Sequence, residues 1–203
     1  DNFSVCCVHK TMPAALKALL SSGDVRVSGL LCPGHVTTII GTAAYGFIPA
    51  EFGLPCAVAG FEPVDMLLGI ESILRQIKEG KAGVDNVYTR AVKVPANPKA
   101  RELLAEVFAP GDAEWRGLGT IPGSGVRIRE PYARFDARAR FPQVWERLTP
   151  APPSPCRCGE VLRGVMRPVE CPLFAGICTP AQPLGPCMVS TEGACAAAYR
   201  YER

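Results

Sequence analysis

The sequence contains no long apolar run and no concentration of charge of one sign. No apolar segment reaches the roughly 18 residues that a membrane-spanning helix needs, so no membrane anchor is predicted. The formal net charge is only +3, and no dense basic run or interleaving of basic and aromatic residues occurs. That composition gives no reason to expect nucleic acid as a partner. Half-apolar content with 20% charged residues is typical of a globular chain.

The N-terminus also lacks the features of a secretory signal. Residues 1–10, DNFSVCCVHK, contain no basic region, apolar core or small-residue cleavage site, and no initiator methionine. We therefore expect a cytoplasmic protein, truncated or processed from something longer, whose thiols stay reduced. A length of 203 residues suits one α/β domain plus a small appendage.

Apolar runs alternate with helical patterns along most of the chain. Residues 62–80 form the strongest predicted helix, with Pro63 near its start and apolar residues at helical spacing. Asn97 and Pro98 are predicted to begin another helix over 97–108. This alternation predicts βαβ units and therefore an α/β fold with a Rossmann-like parallel-sheet core. Strands are predicted at 3–8, 25–32 and 54–61. A helix is predicted within 12–23 and a short one within 33–41. Residues 115–128 are predicted to be a loop that ends in a strand.

A change of composition marks a predicted domain boundary. In TPAPPSP (149–155), four of seven residues are proline, and the chain beyond is rich in cysteine, glycine and proline. We predict that residues 1–148 form the α/β domain, incomplete at its N-terminus. Residues 149–203 are predicted to form a small cysteine-rich domain.

Six of the ten cysteines lie in that C-terminal segment. Zinc modules usually present two close pairs with two to four residues between partners, and no such pair occurs here. A [4Fe–4S] cube takes four thiolates from different directions, which suits widely spaced ligands on loops rich in proline and glycine. Residue chemistry alone leaves both a cluster and zinc open, and it disfavours disulfides in a reducing compartment. The six are Cys156, Cys158, Cys171, Cys178, Cys187 and Cys195.

The spacing Cys158-x12-Cys171-x6-Cys178-x16-Cys195 resembles the C-terminal signature of the HypD family, maturation factors for nickel–iron hydrogenases. Other segments resemble successive family segments in the same order, so the resemblance spans nearly the whole chain. They are NFSVCCVHKTMPAALKALL, LCPGHVTTIIG, AVAGFEPVDMLLGI, NVYTRAVKVPANPKA, AEWRGLGTIPGSG and YARFDARARF.

The resemblance implies a cofactor, a function and partners. The four cysteines of the signature would ligate a [4Fe–4S] cluster that relays electrons, with Cys156 and Cys187 as substitute candidates. The family works with a HypC-like chaperone and a HypE-like cyanide donor to assemble the Fe(CN)2CO unit, which the full-length protein would hold transiently.

Two family motifs do not occur in the sequence. They are Cys-Gly-Thr-His, whose cysteine would hold the iron, and Gly-Pro-Gly-Cys-Pro-x-Cys, a redox-active pair. The chain therefore resembles the C-terminal half of the family or slightly more, and we expect it to be inactive in maturation by itself.

Four polar residues outside the cysteines are candidates for the site. Glu192, three residues before Cys195, would suit proton delivery beside a cluster, or it is a helix N-terminal acid near a Ser190/Thr191 cap. His35 follows a strand and a Pro-Gly turn, where α/β folds place ligand-facing groups, or it is a structural histidine. Glu62 and Asp65 would line a cleft or complement the helix dipole.

Two other classes of function stay open. One is a zinc-stabilised interaction module that docks HypC- or HypE-like partners without a redox role. The other is a thiol oxidoreductase, for which only Cys6–Cys7 and Cys156–Cys158 are close enough in sequence to be a redox pair.

Overall fold

The computed structural model describes residues 2–148 and 155–202. They form two compact units, which we call the sheet unit (residues 27–109) and the thiol unit (residues 1–26 with 110–203). Most of the proline-rich segment lies outside the described residues, so the domain boundary predicted at 149 stays a prediction. The helices are α1 (Met12–Leu20), α2 (Gly34–Ile40), α3 (Phe47–Phe52), α4 (Pro63–Glu79), α5 (Pro98–Val107), α6 (Ala137–Arg140), α7 (Pro142–Glu146), α8 (Cys158–Leu162), α9 (Pro186–Val189) and α10 (Ala194–Tyr201). The strands are β1 (Leu30–Pro33), β2 (Cys56–Ala59), β3 (Val84–Asn86), β4 (Phe108–Trp115) and β5 (Gly119–Ile128).

A three-stranded parallel sheet forms the centre of the sheet unit. Its strand order is β1-β2-β3, with Leu30 opposite Cys56 and Cys56 opposite Val84. Parallel neighbours need crossover connections, and α2, α3 and α4 provide them. The predicted mixed α/β class with a parallel sheet is therefore confirmed.

The middle strand shows why the sequence is apolar there. All four residues of β2 are buried, as expected when both faces of a parallel sheet are covered. Tyr45 and Ile48, between β1 and β2, are fully buried with them. The strand predicted within 54–61 is confirmed, and the strand predicted at 25–32 is present only from Leu30.

Helix α4 packs on β1 and β2 through a polar stripe. The buried residues of α4 are Asp65, Gly69, Ser72 and Gln76. Gly69 permits the close approach, because a Cβ there would clash with the Leu31 side chain. The prediction of a helix over 62–80 is confirmed, with Gly80 at φ +64° ending it. Most of its large apolar side chains, however, are exposed, with Ile73 the partly buried exception.

The thiol unit corrects two predictions. Residues 3–8 are not a strand: within residues 2–148 and 155–202 their backbone pairing is limited to the isolated bridge of Val5 with Asp136, and one bridge does not make a ladder. The glycine-rich 115–128 is not mainly a loop, since β5 begins at Gly119 and forms a two-stranded sheet with β4. Gly125 suits that sheet, because a Cβ there would lie 2.8 Å from the Ala113 Cβ.

Short helices dominate the end of the thiol unit. Helices α8, α9 and α10 and a 3-10 helix at Pro168–Glu170 surround a small core. Its buried members are Cys178, Met188 and Ala196. Throughout the described part of the chain, no helix combines the length and apolarity needed to cross a membrane.

Candidate functional site

All six C-terminal cysteines line one cavity in the thiol unit. They come from separate short segments: α8, α9 and α10 supply one each, two lie between α8 and α9, and one lies just before α8. The structure therefore brings together the four ligands predicted from the spacing and both substitute candidates. The cysteines are Cys156, Cys158, Cys171, Cys178, Cys187 and Cys195.

The donor set fits an iron–sulfur cluster in kind and number. Thiolates are the usual ligands of such clusters, and apolar Leu173, Phe174 and Met188 complete the lining. Gly185 keeps the wall close, since a Cβ there would clash with the Cys156 sulfur. The open space is about 20 Å³, so binding a cube would require the thiols to move apart.

A single-ion centre is not preformed around these thiols. Tetrahedral zinc needs four ligands about 2.0–2.3 Å from one point. Within residues 2–148 and 155–202, no group of three or more His, Cys, Asp or Glu residues is arranged to hold one metal ion. The six thiols thus share a cavity without converging on one point.

Two of the six thiols are in direct contact. The sulfurs of Cys158 and Cys187 lie 2.6 Å apart. Hydrogen bonding from Cys187 lowers the pKa of Cys158 to about 7, and the same contact raises the pKa of Cys187. Burial raises the pKa of Cys195 to about 11 and also raises that of Cys156. Sequence spacing did not reveal this pair, because its members are 29 residues apart.

Glu192 does not line the cysteine cavity. Its side chain is exposed, and its backbone N–H donates to the Ser190 hydroxyl at 3.2 Å. The residue precedes α10 by two positions, with Gly193 between them. Its role in proton delivery stays a prediction.

The carboxyl ends of the three parallel strands form a second polar site, in the sheet unit. His35, the second residue of α2, is exposed. Its ring centroid lies 4.8 Å from that of Phe61 and 6.2 Å from that of Tyr88. These rings follow β1, β2 and β3 respectively, so the prediction that His35 lies at the edge where α/β folds bind ligands is consistent with its position.

An arginine that sequence reasoning missed organises this edge. Arg90 donates to both oxygens of Asp65 at 2.6 Å and to Glu62 at 2.8 Å. Its guanidinium also stacks over the Tyr88 ring at 4.6 Å. These hydrogen bonds hold the pKa of Asp65 below its ordinary value and raise that of Arg90. No strand was predicted at Val84–Asn86, so the sequence analysis did not place Arg90, four residues after β3, at this edge.

Glycines let the edge close tightly. A Cβ on Gly60 would clash with the Asp65 carboxylate and approach Tyr88 to 2.7 Å. A Cβ on Gly34 would lie 2.5 Å from Tyr88 Cδ1. For Glu62 and Asp65 the sequence predicted either a place in a cleft or an interaction with the helix dipole. The structure adds an ion pair of each carboxylate with Arg90.

Comparison with known proteins places the chain among hydrogenase formation proteins. The HypD model, described as the hydrogenase formation hypA family, matches residues 1–202. Hydrogenase maturation factor HypD2 of Bradyrhizobium diazoefficiens is 46% identical over 210 residues, covering all of this chain and 55% of that protein. HypD of Cupriavidus necator is 46% identical over 211 residues with the same coverage. HypD of Escherichia coli is 44% identical over 209 residues, covering all of this chain and 54% of that protein.

The chain belongs to the HypD family. It spans about half the length of the curated relatives it matches. The resemblance inferred from the cysteine spacing is therefore confirmed at the level of the family.

Proposed function

We propose that this chain is the cluster-bearing part of a hydrogenase maturation factor. In this proposal it binds a [4Fe–4S] cluster and acts with a HypC-like chaperone and a HypE-like cyanide donor in assembling the Fe(CN)2CO unit. The supporting observation is the convergence of six cysteines on one cavity in a chain matched by the HypD family over residues 1–202.

Four of the six thiols would hold the cluster, and we propose the four predicted from the spacing: Cys158, Cys171, Cys178 and Cys195. A cube binds its four terminal thiolates on four different irons, so two sulfurs in contact with each other suit neighbouring ligands poorly. Because the sulfurs of Cys158 and Cys187 lie 2.6 Å apart, only one of the two is proposed as a ligand. The lowered pKa of Cys158 favours its thiolate over that of Cys187, whose pKa is raised. Cys156 and Cys187 stay substitute candidates.

The proposed electron-relay role follows from the number of electrons that each group carries. A dithiol–disulfide pair is a two-electron couple, whereas a bound cluster would supply one electron at a time. A cluster beside such a pair would therefore reduce it in two steps. In this proposal the redox-active pair is that of the family motif Gly-Pro-Gly-Cys-Pro-x-Cys, which this sequence does not contain.

Two polar residues keep proposed roles at a site: His35 as a ligand-facing group and Glu192 in proton delivery. His35 has an exposed ring beside Phe61 and Tyr88, where a ligand at the sheet edge would meet it. Glu192 is exposed near Cys195 in sequence.

Anaerobic reconstitution with iron and sulfide tests the proposal. The wild-type chain should become brown and hold about four irons and four sulfides. Cys171→Ser and Cys158→Ser should lose most of that iron, whereas Cys156→Ser should keep it. Cys6→Ser, which changes an exposed thiol, is the matched control.

The opposite results are equally clear. A colourless protein with one bound zinc would reject the cluster and support the zinc-stabilised interaction module. Iron retained in Cys158→Ser and lost in Cys156→Ser would instead assign Cys156 as the fourth ligand.

A further inference from the structure

The outer face of α4 is an apolar surface on a helix whose polar side is buried. Leu67 is 65% exposed and Leu74 is 59% exposed. Such a face on a globular protein is typical of an interaction site. The exposed large apolar residues of α4 are Val64, Met66, Leu67, Leu68, Ile70, Leu74 and Ile77.

The inner contacts show that this orientation is specific. Ser72 donates to the Asp85 carboxylate at 2.6 Å. The Gln76 amide donates to the Cys56 carbonyl at 3.1 Å and accepts from the Gly83 N–H at 2.8 Å. Turning the helix to bury its leucines would break these bonds and leave buried polar groups unpaired, which is costly. The apolar side is therefore held outward.

The spacing on the outer face indicates the shape of its occupant. Leu67, Ile70, Leu74 and Ile77 follow one another at intervals of three, four and three residues. This is the a/d pattern of a coiled-coil seam, whose partner is another α-helix. A shallow groove lies along the seam, lined by Leu67, Ile70 and Leu74 with Glu71, Arg75 and Lys78 at its charged edge.

Charges along the groove indicate the polarity of that helix. Arg75 is engaged by Asp85 at 3.0 Å, and Glu71 lies 3.9 Å from Arg75. Lys78 makes no ion pair or hydrogen bond with any residue in the described ranges 2–148 and 155–202. An acidic side chain on the incoming helix would complement Lys78 at the end of the groove.

The same charges disfavour a second copy of this chain. In an antiparallel pair centred between Ile70 and Leu74, the e positions face each other, so Glu71 would lie beside Glu71 of the other copy. In a parallel pair, Lys78 would face the apolar Ile73 of the other copy instead of an acid.

We propose that the outer face of α4 docks an amphipathic α-helix of another protein, with an apolar heptad seam and an acidic residue opposite Lys78. Helix-in-groove recognition of this kind depends on a few apolar anchors, with charges selecting partner and direction.

Two fluorescein-labelled helical peptides test this proposal on the full chain. Both carry leucine at heptad positions a and d, and they differ only in having glutamate or lysine at the flanking positions. The glutamate peptide should bind at least about threefold more tightly than the lysine peptide in fluorescence anisotropy, as expected for an exposed ion pair. Leu67→Glu and Leu74→Glu should each weaken binding by at least about tenfold.

Charge reversal at one position gives the sharper result. Lys78→Glu should invert the preference between the two peptides, whereas Lys99→Glu, a reversal on α5, should leave it unchanged. Circular dichroism checks that each variant keeps its helix content.

Three results would overturn the proposal. The first is equal affinity for both peptides, and the second is wild-type affinity in both leucine variants. The third is a concentration-dependent dimer in sedimentation velocity that Leu67→Glu dissociates, which would assign the face to a second copy.

Discussion

The sheet unit and the thiol unit are stabilised in different ways. The sheet unit has continuous strand pairing and a core that includes fully buried Tyr45, Ile48 and Val58. The cysteine-bearing end of the thiol unit has helices of four to eight residues around a core of Cys178, Met188 and Ala196. Helices that short are not stable alone. We infer that the sheet unit needs no ligand to fold, whereas the cysteine segment depends on what its thiols bind.

Removing the proposed cluster should give the largest effect, and the local stability of only one of the two units should fall. With iron stripped by a chelator under reducing conditions, amide-exchange protection in residues 156–202 should fall by on the order of 100-fold, because bound metal couples to local folding. Protection in β2 should stay the same. Equal loss in both units, or none in either, would contradict the contrast.

A substitution in the sheet unit should give the reverse pattern with a smaller effect. Gln76→Ala removes partners from the Cys56 carbonyl and the Gly83 N–H, so we expect a loss of about 2–3 kcal/mol in the free energy of unfolding of this unit. Hydrogen exchange of β2 and β3 measures it. Reconstituted iron content should be unchanged, and Glu79→Ala, at an exposed position on the same helix, should behave like the wild type.

The smallest predicted effect is a change in the acid stability of the sheet unit that depends on the Asp65–Arg90 ion pair. Because hydrogen bonds from Arg90 lower the folded-state pKa of Asp65, the ionised carboxylate stabilises the fold above its unfolded pKa of about 3.9. That contribution is lost as pH falls from about 4 through the depressed folded value. Asp65→Asn should therefore flatten the dependence of sheet-unit stability on pH in this window, measured by urea unfolding with hydrogen exchange as the readout. A variant with an unchanged acid slope would show that the pair contributes little.

Sequence reasoning succeeded where local signals decide the structure. Pro63 and Gly80 bracket α4, and Asn97 caps α5 by accepting from the Ala100 N–H at 3.0 Å. The continuous apolar run at β2 predicted a strand covered on both faces. Each of these features depends on residues close together in the chain.

Prediction failed where distant contacts decide. Strand β5 forms despite its glycines because β4 pairs with it, whereas residues 3–8 make one isolated bridge, at Val5, instead of a ladder among the described residues. Arg90 joins Asp65 across 25 residues and Cys158 meets Cys187 across 29. Periodicity found the apolar stripe of α4 without showing that the polar stripe faces the sheet. No pattern within a few residues contains that information.

The hydrogen bonds beneath α4 have a practical consequence for handling the chain. Because these hydrogen bonds prevent α4 from rotating, the isolated chain cannot bury the leucines of this helix. They stay exposed to detergents, chaperones and other chains. The yield of the chain from an expression host should therefore depend more on which proteins are present to bind it than on its melting temperature.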